Sequence, residues 1–162
     1  MTGDHTLETC RKATEDVLRS VFQQLQLQRV SLEGMILKPN MVLPGLTCAE
    51  QVTAKEAARA TMQSLLRVVP AAVPGIAFLS GGQSAELASA RLNAMNLGYE
   101  ATGSGPPWAL SFSFGRALQQ PALEIWRGDE GNRVAAQKAL AHRARCNQAA
   151  RRGEYCPAME TA

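Results

Sequence analysis

Three short polar groups, each directly after an apolar run, are the residues best placed to do chemistry. Lys38 follows the run Val30 to Leu37, Ser80-Gly81-Gly82 follows Gly75 to Leu79, and Ser113 to Arg116 ends the run that begins at Trp108. A lysine at the rim of an apolar wall loses hydration, which favours its neutral amine, and a neutral amine can attack a ketone to form a Schiff base. Strict alternation along a strand puts Leu32, Gly34, Ile36 and Lys38 on one face and Glu33 on the other, so Glu33 reads as structural. Two glycines after a serine, just ahead of a helix, let backbone N–H groups approach an anion. Arg116 stands where a helix begins, an unfavourable place for a cation unless an anion lies between it and the helix dipole. Taken singly, Lys38 reads first as a solvated lysine and Arg116 as an exposed arginine, while Ser80-Gly81-Gly82 reads equally as an ordinary turn. Their coincidence at the same end of three strands favours a ligand site, because ligands gather at the carboxyl ends of parallel strands.

The elements that must position these groups are legible as hydrophobic periods. Residues Leu7, Cys10, Val17, Leu18, Val21, Phe22 and Leu25 recur every three to four positions, predicting a helix over about 6 to 28. The segment 30–37 reads as a buried strand stopped by Lys38-Pro39-Asn40, since Pro39 forces its predecessor out of the helical region. A second helix is predicted over about 53–69 with Ala57, Ala58, Thr61, Met62, Leu65 and Leu66 on its apolar face. Strand 75–79, a helix over about 84–96 carrying Leu87, Leu92 and Met95, a Gly/Pro loop at 103–107, and strand 108–114 repeat the unit. A helix to about 126, a break at Gly128 to Gly131, and a last helix over about 132–152 complete the chain. Alternation of helix and strand predicts an α/β fold with parallel strands, either an open doubly wound sheet or part of a (β/α)8 barrel. A whole barrel takes eight strands and about 250 residues, so the chain can supply three of its strands. No GxGxxG or GxxxxGK[ST] follows any strand, which removes the usual support for dinucleotide or P-loop binding.

Composition narrows the partners. The 162 residues carry 17 Lys plus Arg against 14 Asp plus Glu, a net charge of +3 that is too mild to imply nucleic acid. The arginines at 143, 145, 151 and 152 accordingly read as solvated charge rather than a nucleic-acid surface. No apolar stretch is long enough to span a membrane, and the first residues lack a secretory pattern, so a cytoplasmic location is expected. Cysteines 10, 48, 146 and 156 have no zinc-like spacing and read as free thiols. His5 and His142 have no further ligands close by in sequence and read as ordinary surface or hydrogen-bonded residues.

The segment Val30-Ser31-Leu32-Glu33-Gly34-Met35-Ile36-Leu37-Lys38-Pro39-Asn40 resembles the Schiff-base signature of class I fructose-bisphosphate aldolases. Phe78-Leu79-Ser80-Gly81-Gly82-Gln83-Ser84 is similar to that family's sugar-phosphate loop, and Trp108 to Leu118 resembles its last barrel strand and phosphate-binding turn. The likeness extends from about Gly3 to Pro157. It implies the last three strands of a TIM barrel with their helices (about 1–128) and a C-terminal helical extension (about 129–162), together one partial domain. It implies Lys38 as the Schiff-base lysine, and Ser80, Gly81, Gly82, Ser113 and Arg116 as contacts to a sugar phosphate. It also implies glycolytic retro-aldol cleavage without metal or cofactor, and a homotetramer for the intact enzyme. The family's proton-handling carboxylates and second lysine lie on earlier strands that this chain does not carry. Its C-terminal tyrosine has no counterpart either, since the chain stops at Met159 to Ala162 and Tyr155 lies too far inside. The expectation is therefore a truncated aldolase that by itself keeps a reactive lysine or weak phosphate binding. The alternative is a noncatalytic remnant that binds or assembles with a partner.

Overall fold

Helix α1, Leu7–Leu27, begins where the Thr6 side chain accepts the Thr9 N–H and buries Leu18 and Phe22 against the next helix. In the computed structural model, which describes residues 2–100 and 105–161, the order is α1, β1 (Ile36–Leu37), α2 (Ala54–Val68), β2 (Gly75–Phe78), α3 (Ala85–Glu100), β3 (Ala109–Phe112), α4 (Arg116–Trp126) and α5 (Arg133–Arg151). The three strands form one parallel sheet in the order β1-β2-β3. Central β2 is buried through Ile76 and Phe78, which join Leu65, Leu92, Met95, Trp108 and Leu110 in the core. Part of the Gly/Pro loop expected at 103–107, positions 103 and 104, lies outside the described residues.

The first strand is much shorter than its apolar run suggests. Leu32–Gly34 forms a 3₁₀ turn instead, and only Ile36–Leu37 pairs with β2. The cause is local: the Ser31 hydroxyl donates to Glu33 Oε2 at 2.9 Å, and the Gly34 and Met35 amides turn back to the carbonyls of Ser31 and Leu32. Alternation therefore does not place Leu32 and Gly34 on a common face with Ile36 and Lys38. Several periodic positions also face solvent. Val17, Val21, Leu66 and Leu87 are exposed, and small residues do the packing: Ala57, Ala58 and Ala60 on α2, Ala85, Ala88 and Ser89 on α3. Helix α3 passes Asn96, the end expected from sequence, because the Asn96 side chain bonds sideways to the carbonyls of Leu92 and Ala150 instead of breaking the helix.

The chain following Lys38 is tightly held. Met41 to Gly45 is buried, and Thr61 fixes it from α2: its hydroxyl accepts the Val42 N–H at 2.9 Å and donates to the Ala57 carbonyl at 2.7 Å. Gly45 bonds through its N–H to the His5 carbonyl at 2.8 Å, and a Cβ there would lie 2.0 Å from the Gly3 carbonyl oxygen. Only glycine permits the N-terminal segment to come that close. The C-terminal helix is pinned to α3 by buried polar pairs. The Ser89 hydroxyl donates to Asn147 Oδ1, and Arg143 reaches both the Ala85 carbonyl and Ser89. Arg143 is thus buried and engaged, contrary to its reading as solvated charge, whereas Arg145, Arg151 and Arg152 are exposed. The difference arises because Arg143 shares the inward face of α5 with Cys146, Asn147 and Ala150.

Two consequences are measurable. Thr61→Val keeps the shape but leaves the buried Val42 N–H without its acceptor, so a loss of about 1–3 kcal/mol is expected from denaturant midpoints. Glu15 on α1 is buried beneath Arg11 and Arg67, which donate to it at 2.6 and 3.0 Å. Burial works to raise its carboxyl, but the Arg67 and Arg11 hydrogen bonds and charges prevail and hold it below the ordinary glutamate range. A lowered folded-state value means that the stabilisation is complete above the unfolded value of about 4.3 and is lost as pH falls through the folded one. The stability margin of the wild type over Glu15→Gln should be full near neutrality and shrink below pH ~4.3, as read from denaturant midpoints across acid pH.

Candidate functional site

The three strand ends are joined by backbone beyond the strands themselves. The Leu79 N–H donates to the Pro39 carbonyl at 3.1 Å, and the Ser113 N–H donates to the Phe78 carbonyl at 2.8 Å. These bonds fix the residue after Lys38 beside the residue before Ser80, and Ser113 beside β2. After Ser80, which is buried, the chain turns: the Ser80 carbonyl accepts the Gln83 N–H, and Gly81 and Gly82 take φ values of 58° and 87°. Both lie in the left-handed region that side chains disfavour, so the sequence needs glycine there for backbone conformation.

Arg116 returns to this loop from the start of α4. A Cβ built on Gly82 would sit 3.6 Å from Arg116 Nη2, so the guanidinium lies over the second glycine. Helix α4 has Gly115 at its N-cap and no side-chain cap, with the Leu118 and Gln119 amides both turned to the Gly115 carbonyl. Arg116 and Ser113 are exposed at the same end of the sheet. The loop and Arg116, two of the three groups singled out in the sequence, therefore meet as a cation over a glycine turn beside an uncapped helix start. That combination suits an anion.

Lys38 is joined to them through backbone alone. It is exposed, and its strand neighbour Ile36 is 61% exposed, so the apolar wall expected to strip water from the amine is not built by these residues. The reason is the early 3₁₀ turn and the absence, among the described residues, of a strand on the outer side of β1. Lys38 borders a groove of about 690 Å3 between α1 and the end of β1, lined on the helix side by Cys10, Val17 and Val21. A larger groove of about 830 Å3 runs between α2 and α3, with Met62 and Ala94 in its wall, on the helical layer and away from the strand ends.

Sequence reasoning missed the support beneath the glycine loop. Gln83, buried, donates through Nε2 to Met41 Sδ at 3.5 Å and accepts at Oε1 from Arg91 Nη1 at 2.9 Å. Arg91 is itself only 6% exposed, and its Nε has no hydrogen-bond partner among the described residues. Burial pushes its guanidinium below the ordinary arginine range. A signal existed: Arg91 adjoins Leu92 and stands three positions after Ala88 on α3, where a helix with a buried face should carry no lone cation.

The whole chain, residues 1–162, matches the family model described as fructose-bisphosphate aldolase class-I. Fructose-bisphosphate aldolase B of Sparus aurata is 50% identical over 155 residues, which are 96% of this chain and 42% of that protein. The human aldolase B is 50% identical over 153 residues, covering 94% of this chain and 41% of its own length. The structure of Plasmodium falciparum fructose-bisphosphate aldolase, solved with TRAP and a small-molecule inhibitor, superposes with a TM-score of 0.89 at 44% identity over 96% of this chain and 43% of that one. This chain thus spans about two fifths of the length of the relatives it matches, and with a family model over its whole length and half its residues identical to theirs, it belongs to the class I fructose-bisphosphate aldolases.

Proposed function

We propose that the chain is the C-terminal portion of a class I aldolase and carries that enzyme's Schiff-base lysine and phosphate grip. The observation that carries this reading is the Arg116 guanidinium over Gly82 at the carboxyl end of the sheet. In the proposed reaction Lys38 Nζ attacks the C2 ketone of fructose 1,6-bisphosphate, and loss of water leaves a protonated iminium. The C4 hydroxyl gives up its proton, the C3–C4 bond breaks, and its electron pair passes into the iminium as glyceraldehyde 3-phosphate departs. The resulting enamine takes a proton at C3, and hydrolysis releases dihydroxyacetone phosphate and free Lys38. Ser80, Gly81, Gly82, Ser113 and Arg116 hold phosphate, with the glycine amides and the guanidinium sharing its charge. Gln83 and Arg91 keep the loop in shape from below.

The same reading makes the three-stranded sheet part of a (β/α)8 barrel at about 1–128, with a helical extension at about 129–162, in a cytoplasmic homotetramer that binds neither nucleic acid nor membrane. Among the described residues no helix is long and apolar enough to cross a membrane. Family resemblance puts the proton-handling carboxylates on strands other than these three, so full turnover is assigned to the whole barrel. A second reading, a noncatalytic remnant that pairs with a complementary aldolase segment, is favoured by the groove beside β1, where Val17 and Val21 are exposed.

Reduction with borohydride in the presence of dihydroxyacetone phosphate separates the two. A single adduct on Lys38 in peptide maps, absent from Lys38→Ala, is the outcome expected of Schiff-base competence. Folded protein that yields no adduct would leave the remnant reading. In the same assay, Arg116→Ala removes a charge-assisted hydrogen bond of about 1.5–3 kcal/mol, so half-maximal trapping should need roughly 10- to 100-fold more dihydroxyacetone phosphate. Gly82→Ala, forced into φ +87°, should weaken trapping in the same direction, and unchanged trapping in both variants would remove the phosphate role.

A further inference from the structure

Away from the strand ends, α5 and the C-terminal turn bring together three groups that sequence reading left apart. His142 and Cys146 are one helical turn apart on α5, and Glu160 folds back over them from the 3₁₀ turn Pro157–Thr161. His142 Nε2 lies 3.6 Å from Cys146 Sγ and 3.5 Å from Glu160 Oε2, and all three ligand atoms fall within 4.8 Å of one another. His142 therefore has two potential co-ligands, one of them contributed by a residue 18 positions away in sequence.

We propose that His142 Nε2, Cys146 Sγ and a Glu160 carboxylate oxygen form a three-ligand site for a divalent metal ion of zinc's class. Tetrahedral zinc with bonds of about 2.0–2.3 Å sets its ligand atoms roughly 3.3–3.6 Å apart, so the two measured separations already match and the third must close by little more than ~1 Å. Thiolate, imidazole and carboxylate together select zinc over magnesium or calcium, which take oxygen ligands. The carboxylate is oriented in advance. Tyr155 donates its hydroxyl to Glu160 Oε1 at 2.7 Å and Arg143 donates to Oε2, leaving a lone pair on each oxygen for a metal. Arg143 also offsets the added negative charge of a thiolate, as Cys146 gives its proton to solvent when the metal binds. Cys146 is fully buried, whereas His142 and Glu160 are about one fifth exposed, so the ion enters from their side and keeps a water as fourth ligand. Bound there, the metal would clasp the C-terminal turn to α5, independently of Lys38 and the phosphate loop.

The full chain, stripped with chelator and titrated with Co2+, tests this. Expected are one equivalent bound, a near-ultraviolet thiolate-to-cobalt band, visible bands of tetrahedral cobalt, and displacement of all of them by one equivalent of Zn2+. His142→Ala and Cys146→Ala should each weaken Zn2+ binding at least ~100-fold, while Cys156→Ala, whose thiol is exposed and outside the cluster, leaves it unchanged. Circular dichroism of the wild type and variants establishes that the chains are folded. Absence of the cobalt bands in folded wild type, their survival in Cys146→Ala, or their loss in Cys156→Ala would overturn the proposal and leave hydrogen bonds alone to join these groups.

Discussion

The ladder of parallel backbone hydrogen bonds extends past the last residue of every strand, and the candidate site depends on that extension. Pro39 can accept but not donate, and it accepts from Leu79, while Phe78 accepts from Ser113. Pro39 borders Lys38, Leu79 borders Ser80, and Ser113 opens the turn into Arg116. Register in the sheet is fixed in turn by burial of Ile76 and Phe78, because a slip of one residue would turn them out of the core. Placement of the phosphate loop is therefore a consequence of core packing on β2, transmitted through backbone rather than through contacts between the polar side chains.

Two carboxylates collect arginines across the helical layer: Arg11, Arg19 and Arg67 surround Glu15, and Arg143 holds Glu160. Lys38 and Arg116 at the carboxyl end of the sheet, and Arg91 on α3 beneath the glycine loop, have no ion-pair partner among the described residues. A buried cation without an anion is costly, and Arg91 meets that cost with only a neutral acceptor, Gln83. Under the proposed function, the unpaired positive charge around the Ser80 to Gly82 turn would give a dianionic phosphate a field to enter, and the two glycines would let the backbone share it.

Element order and the type of every long helix were legible because period and breakers agreed: α2 starts at the Thr53 capping box, and α4 begins right after Gly115. The motif at 80–82 was legible for the same reason, since only glycine tolerates the conformations at 81 and 82. Two kinds of information were not. The turn at Leu32–Gly34 reflects competition between a Ser31–Glu33 bond and strand pairing, and a run of apolar letters does not reveal which wins. Contacts across large sequence distances were the other loss: Gln83 to Met41, Arg143 to Glu160, and Glu15 to Arg67 each need the fold before they can be seen. Exposure of Val17, Val21 and Leu87 belongs here too, because which turn of an amphipathic helix meets its neighbour is settled by the packing and not by the period.

The two halves of the candidate site consequently differ in readiness. The half proposed to bind phosphate rests on β2, β3 and α4, whose residues Ile76, Phe78, Leu110 and Ala117 join the core, and its loop is supported from beneath by Gln83 and Arg91. The amine half rests on β1, a two-residue strand with Ile36 largely in water. The proposed phosphate binding needs fixed donors and charge, which the Gly81–Gly82 turn and Arg116 would supply. Schiff-base formation needs a desolvated amine, and desolvation has to come from whatever covers the outer edge of β1 and the groove along α1. Under the proposed function, covering the groove that Val17, Val21 and Leu37 share with Lys38 would bury apolar surface and strip water from the amine in one step, so closing the proposed barrel and activating the proposed nucleophile would draw on the same apolar surface.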